Sequence, residues 1–376
     1  MTHHRFLEPL DVLFLRGNKL FGDPGSYGES LIPPWPSVAA GAIRSRMLAD
    51  EGVDLARYAR GEIVHPTLGT PDDPGSFAVT DFQLARRQGA QVQALHALPA
   101  DLVVTLPGGG TVPEVKRSRP QRLAEGLCSS APTTALPVLA EDQRAKSMGG
   151  YWLNPVGWQR YLAGAGLQAS EHLVHARDLW KIDERVGIGL NAEHGRADDG
   201  KLFTVQAIAL ASGVGFLAAI SGAVPPGDGM VRFGGDGRAA ALQSVAGYAP
   251  GEPDYGAITR SGRCRVVLTS PGVFASGWTL PGVDEDQAWQ LGGVRGRLVC
   301  ASVPRAEIIS GWDLARWQPK PAQRVAPTGA VYWIDQLQAS PEALRALADS
   351  GLWFPADQTP ARRAEGFNRF AFGEWK

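Results

Sequence analysis

The sequence has almost no net charge: 37 Lys and Arg stand against 38 Asp and Glu, a formal balance of −1. A free-standing nucleic-acid binder is usually basic, so any RNA this chain holds must be held by local patches, with other chains sharing the strand. Cysteine is scarce too. Cys128, Cys264 and Cys300 lie far apart, without Cys-x-x-Cys spacing, which argues against a structural zinc site and for a reducing cytoplasm. No apolar run reaches the ~18 residues of a membrane span. The opening MTHHRFLEPLD lacks the long apolar centre of a signal peptide. The expectation is a cytoplasmic chain with no membrane partner.

A catalytic constellation is also missing. The histidines are His3, His4, His65, His96, His172, His175 and His194. His172 and His175 can share a helix face, but no third ligand stands at a familiar spacing, so neither a metal nor another cofactor is expected. A metal-free RNA endonuclease would use a histidine as base, and nothing in the pattern singles one out. VRFGGDGR, from Val231, is neither a P-loop nor a dinucleotide fingerprint. It reads either as a tight turn after a strand or as a backbone cradle for phosphate.

What is present is length, glycine and proline. With 376 residues, 46 of them Gly and 28 Pro, two turn-rich domains are the default. The organising stretch is Leu10 to Ala49. Leu10 to Leu15 reads as a strand, Gly22 to Gly28 as a loop, Pro33 to Pro36 as an extended brake and Ser37 as the N-cap of a helix. Gly41 inside that helix suggests a close backbone approach, and Arg44 and Arg46, two apart, must diverge.

Further strands are expected at Phe77 to Leu84, Leu102 to Leu106 and Val214 to Ile220, and at Val231 to Arg238 and Arg265 to Thr269. Others are expected at Leu298 to Val303, Val331 to Ile334 and Phe367 to Phe372. Arg185 to Asn191 and Leu202 to Leu210 form a hairpin with a solvated tip. Ser340, Pro341, Glu342 and Gly351 mark the start and stop of a helix. The chain thus begins strand, loop, helix and ends strand, helix, strand. The expected class is α+β: two ferredoxin-like (RRM-like) domains with β-hairpin and loop insertions. The first would span 1–212, with insertions over about 60–175, and the second 213–376.

Two clusters admit two readings each. Lys116, Arg117, Arg119 and Arg122 can neutralise phosphates or form a solvated loop. Tyr151 and Trp152 can stack on bases or belong to the core.

The succession of motifs resembles a known family. PLDVLFLRGNKLFGDPGSYGESLIPPWPSVAAGAIRS is similar to the N-terminus of the third subunit of the type III-B CRISPR (Cmr) effector complex, in the RAMP superfamily. DLWKIDERVGIGLNAEHGRADDGKLFTVQAIAL, VRFGGDGR, LTSPGVFASGW and ISGWDLARWQPKPAQRVAPTGAVYWI look like its later motifs, in the same order. The match is poorest over about 60–145. The resemblance implies a non-catalytic subunit at the foot of a ribonucleoprotein, gripping the 5′ repeat-derived tag of the CRISPR RNA. Its implied neighbours are the large polymerase/cyclase-like subunit and the RNA-cutting backbone subunit. Carried onto this chain, the implied RNA contacts are Arg16, Ser37 and Arg44; Lys181, Arg185, Gly187 and Gly189; and Gly234, Gly235, Gly237 and Arg238. The alternatives are a metal-free repeat endonuclease of the same superfamily and the equivalent type III-A subunit.

Overall fold

A computed structural model describes residues 1–15, 27–28, 30–107, 110–141, 146–191, 193–354 and 359–376. The class is mixed α and β, and nearly all strand pairing is antiparallel. Among the described residues no helix is long and apolar enough to cross a membrane. The chain forms two compact units: Met1–Val92, Arg177–Ala246 and Ile308–Gln323 in the first; Gln93–Ala176, Gly247–Glu307 and Arg324–Lys376 in the second.

In the first unit β1 (His3–Pro9) is central. Phe6 and Leu7, neighbours that point to opposite faces, are both fully buried, so both faces of the sheet are covered. After β1 come β2 (Tyr27–Gly28), α1 (Pro36–Asp50), α2 (Leu55–Ala59) and β3 (Ala78–Gln88). The long hairpin is β4 (Trp180–Leu190) and β5 (Ala197–Leu210). Then follow β6 (Val214–Ser221), β7 (Gly229–Arg232) and β8 (Ala239–Val245). Five strands of this unit lie side by side in one sheet in the order β3-β6-β1-β8-β7. In register, Phe6 faces Leu217 on one side and Gln243 on the other.

Three sequence expectations need correction here. The first strand is His3–Pro9, not Leu10 to Leu15. After it the chain keeps only an isolated bridge at Leu13, while Leu10 is exposed. Ser37 does not cap α1. Pro36 already occupies the first turn, Trp35 is the N-cap, and no side chain caps the helix. Gly41 makes no close approach: it faces solvent, and a Cβ there would meet nothing within 4 Å. Gly41→Ala is therefore expected to stabilise the chain by about 0.5–1 kcal/mol, seen as a higher urea midpoint at unchanged m-value.

The second unit is built on a five-stranded sheet. Its order is Ala288–Leu291, Val294–Ser302, Val331–Gln338, Cys264–Leu268, Phe370–Glu374. Alternation splits the core in two. Val266, Leu268, Tyr332 and Ile334 join the cluster containing Leu344 and Leu347 of the helix Pro341–Ser350. Val267, Val331 and Trp333 join a second cluster with Leu102, Trp158 and Tyr161, so part of the segment between 93 and 176 supplies the other layer. The Pro341–Ser350 helix begins as its sequence indicates. The Ser340 hydroxyl accepts the Ala343 N–H at 3.2 Å, and Gly351 is the C-cap.

Candidate nucleic-acid interface

Beyond β1 the chain runs beside the long hairpin and is fastened there. Leu13 N–H donates to the Ile208 carbonyl at 2.9 Å, and Ile208 N–H returns the bond at 2.8 Å. That fastening fixes Phe14, only 5% exposed. Two guanidinium groups approach its ring, Arg238 at 5.1 Å and Arg185 at 5.9 Å from the centroid. Both distances suit cation–π attraction. Arg238 also ion-pairs with Asp11, and Arg185 with Asp183 at 2.9 Å. Arg238 Nε is buried and has no hydrogen-bond partner among the described residues.

The glycine turn is held against the same hub. Phe233 N–H donates to the Arg238 carbonyl at 2.8 Å, closing the turn, while Gly235 N–H donates to the Phe14 carbonyl at 2.8 Å. Buried Phe233 anchors it from below, its ring 5.4 Å from that of Phe216. Gly234 and Gly237 lie at φ 84° and 67°, and Asp236 at 55°. A Cβ at Gly234 or Gly235 would sit 3.2 Å from the Phe14 oxygen. Left-handed geometry and close approach together require glycine at 234.

Arg16 and most of the loop read at Gly22 to Gly28 lie outside the described residues. The described ends of that loop close on the hub. Leu31 N–H donates to the Leu15 carbonyl at 2.7 Å, Ser30 N–H donates to Gln206 Oε1 at 3.2 Å, and β2 pairs in parallel with Thr204 and Val205 of β5.

On the hairpin, Gly187 lies opposite Phe203. A Cβ at 187 would come within 2.4 Å of the Phe203 ring, and one at 189 within 2.8 Å of the Lys201 stem. The Gly-Ile-Gly run is thus a trough for its cross-strand neighbours. Lys181 is exposed and makes no ion pair among the described residues. Ile182, Val186, Ile188 and Leu190 are exposed along alternate positions of β4.

The chain matches the family described as CRISPR-associated protein (Cas_Cmr3) over residues 5–375. It belongs to the Cas_Cmr3 family. The resemblance read from the ordered motifs therefore extends over nearly the whole sequence. No curated protein matches the sequence. Among solved structures it is similar to a chain in the cryo-EM structure of the type III-B Cmr-beta bound to cognate target RNA. That chain is 12% identical at a TM-score of 0.46, over 88% of this chain and 86% of that one. A chain of the complex with cognate target RNA and AMPPnP, state 1, is 14% identical at a TM-score of 0.42, with the same coverage.

Not every residue implied by the family resemblance gathers at Phe14. Arg44 turns away, with Nη2 3.5 Å from both the Tyr58 hydroxyl and the Leu68 carbonyl. Arg46 binds Asp50 and the Met230 carbonyl, so the two arginines do diverge. Ser37 lies half-buried in the first turn of α1. In the basic cluster, Arg117 is committed to the Gly164 and Ala165 carbonyls at 3.0 and 3.1 Å and stacks on Tyr161, while Lys116 pairs with Glu141. Arg119 and Arg122 are exposed. Trp152 is buried in the core, and Tyr151 meets His175 edge-on.

The histidines are mostly tied into structure. His172 ends a short helix and His175 lies in the following strand, so they share no helix face. His96 is buried against Trp158 with centroids 4.2 Å apart, and burial pushes its pKa down to about 3, leaving it neutral at physiological pH. His65 is buried, its Nδ1 accepting from the Thr67 and Leu68 N–H groups at 3.2 and 3.1 Å. Burial, then His3 and Arg5, lowers the pKa of His4.

Sequence reasoning missed Phe14 and Asp11 as parts of the hub. It also missed a buried network in the second unit. Asp101 and Arg265, fully buried, pair at 2.9 Å, and the Tyr161 hydroxyl donates to Asp101 at 2.7 Å. The available signal was a lone arginine inside the apolar strand CRVVL, which needs a partner once buried.

Proposed function

We propose that this Cas_Cmr3 chain is a non-catalytic subunit of a cytoplasmic type III-B CRISPR ribonucleoprotein. It holds the 5′ repeat-derived tag of the CRISPR RNA. The observation that carries this reading is the Phe14 hub: two guanidinium groups and a glycine turn converge there, with Arg238 Nε unsatisfied among the described residues. Arginine and turn amides bind phosphate through charge-assisted hydrogen bonds, and splayed bases of a single strand stack on aromatic rings and guanidinium planes. Lys181, Gly187 and Gly189 extend the proposed contact along the hairpin; Arg16, outside the described residues, and Ser37 and Arg44 are assigned to it by the family resemblance alone. The large polymerase/cyclase-like subunit and the RNA-cutting backbone subunit share the strand, in keeping with a net charge of only −1.

The strand order supports two ferredoxin-like modules as the scaffold. Numbered along the chain, the strands β1, β3, β6 and β8, which share one sheet, lie as β8-β1-β6-β3, that is 4-1-3-2. Cys264–Leu268, Val294–Ser302, Val331–Gln338 and Phe370–Glu374 repeat that order. The first unit keeps a helix after its first strand, and the second keeps one after its third.

Expressed with the other genes of its complex, the tagged chain is expected to co-purify a small RNA with one common 5′ end. Sequencing of the retained RNA tests this. Heterogeneous 5′ ends, or no RNA, would overturn the reading. Cleavage of repeat RNA by the isolated chain without metal would replace it with the endonuclease alternative.

A further inference from the structure

The second unit contains an open cleft of about 400 Å3, a volume that admits a short peptide or a small ligand. Its lining is mostly apolar: Leu136, Trp278 and Val303 stand beside Val325 and Ala326, both almost fully buried. The walls are fixed in advance. The Tyr332 hydroxyl donates to the Trp278 carbonyl at 2.6 Å, and Ala326 and Gly272 exchange backbone bonds at 2.9 and 2.8 Å. The wall at residues 131–136 is tied back by the Ala135 N–H, which donates to the Val299 carbonyl at 2.9 Å. That wall lies in the stretch where the resemblance to the family's motifs is poorest.

One guanidinium stands at this apolar surface. Arg324 lines the cleft, is exposed, and makes no ion pair or side-chain hydrogen bond among the described residues. The charge inventory around it is short. Within 131–136, 277–278, 301–307 and 324–326 the only charged side chains are Arg305, Glu307 and Arg324. Arg305, between the lining residues Pro304 and Ala306, is exposed and likewise without a partner among the described residues. Desolvation alone raises the Glu307 pKa, with no cation acting on its carboxyl, so Glu307 neutralises neither arginine. Two cations against one acid leave the rim net positive.

We propose that this cleft receives an acidic peptide segment of another protein subunit, with an apolar side chain filling the cavity and a neighbouring carboxylate paired to Arg324. This rests on the ribonucleoprotein reading above. The lining decides between occupants. A splayed RNA base carries polar edge atoms, and these would lose their water against Val303, Val325 and Ala326, whose side chains offer no donor or acceptor in return. A purely apolar ligand would leave the guanidinium unused. An aliphatic or aromatic side chain matches the lining, and a carboxylate takes the flat face of an arginine through two parallel hydrogen bonds. A preformed apolar cavity with Trp278 in its wall and an arginine at its edge is the make-up of a protein anchor site, where aromatic and arginine side chains carry most of the binding.

The test uses the chain co-expressed with the remaining subunits and purified through its own tag. A photo-crosslinking amino acid at the exposed position 306 is expected to crosslink to one other protein subunit. Mass spectrometry of the crosslinked peptide should show an apolar residue next to Asp, Glu or a C-terminal carboxylate. Arg324→Glu is expected to speed dissociation of that subunit by about tenfold or more, and Ala306→Trp, which obstructs the cleft, by a similar factor. Both positions are exposed, so the thermal midpoint of the isolated chain and the 5′ end of the retained RNA stay unchanged. Replacing the partner's acid by Arg should restore retention by Arg324→Glu. Crosslinking to RNA or to a second copy, no crosslink, or unaltered dissociation in both variants with RNA still bound would each overturn the docking proposal alone. A wild-type chain that retains neither subunits nor RNA would overturn it together with the ribonucleoprotein reading.

Discussion

Asp101→Ala is expected to destabilise the chain by about 3–5 kcal/mol, a large share of the stability of a typical domain. The reason lies in what the carboxylate satisfies. Arg265 is fully buried and places Nη1 on Asp101 at 2.9 Å, Nη2 on the Tyr161 carbonyl at 2.6 Å and Nε on the Glu374 carbonyl at 3.1 Å. Its guanidinium also lies 4.2 Å from the centroid of the Tyr161 ring, whose hydroxyl donates to the same carboxylate. Burial, ahead of its charged neighbours, drives the Tyr161 pKa well above its ordinary value, so the phenol remains a donor. Truncating Asp101 strands a buried cation and a buried hydroxyl together, the situation in which breaking a pair costs far more than the pair is worth. Urea denaturation followed by far-UV circular dichroism measures it. A loss below about 1 kcal/mol would mean that water reaches the site and hydrates Arg265. Tyr161→Phe removes only one donor, so its loss is smaller, about 1 kcal/mol.

The second large effect concerns ligand rather than stability. Arg185→Ala and Arg238→Ala are each expected to weaken binding of a CRISPR RNA tag by about tenfold, and the double variant by about a hundredfold. Each change should also lower the slope of log affinity against log salt by about one. Both arginines are partly exposed, with ion-pair partners at the surface, so their loss from the fold itself is expected to stay below about 1 kcal/mol. Filter binding of a labelled tag oligonucleotide over a salt series separates the two contributions. Arg238→Lys keeps the charge but not the flat face over Phe14, so it should retain the slope and lose part of the affinity. If affinity and slope are unchanged in all three alanine variants, the arginines serve only to hold Phe14 in place.

The sequence was most readable where pattern and packing agree. The β4–β5 hairpin shows clean alternation and a polar, glycine-bearing tip, and both strands form, each beginning before the expected residue. The Pro341–Ser350 helix carries its own start and stop signals, and they operate as read. Legibility failed where tertiary context overrules a local cue. Leu10 to Leu15 is more apolar than His3–Pro9, yet the latter is the central strand. Polar residues within His3–Pro9 find partners at the sheet: Arg5 reaches the Pro225 and Pro226 carbonyls, and Glu8 meets Arg87. Ala239–Val245 went unread because alanine is a poor strand former, while its pairing with β1 supplies what propensity lacks.

At the hub the arginines and glycines are visible as motifs. Phe14 and Asp11 are not, because their roles depend on two segments separated by more than two hundred residues coming together.

One connection in the first unit has a consequence for how RNA could be held. Between β6 and β8 the chain does not form a helix but runs through β7 and the glycine turn at Phe233–Arg238. A helix consumes nearly all its own amides in internal bonds, leaving spare donors only in its first turn. A turn commits fewer of them: here the Phe233, Gly235 and Arg238 N–H groups bond to carbonyls. Under the proposed RNA-holding role, a turn in place of a crossover helix is what supplies backbone donors to a phosphate.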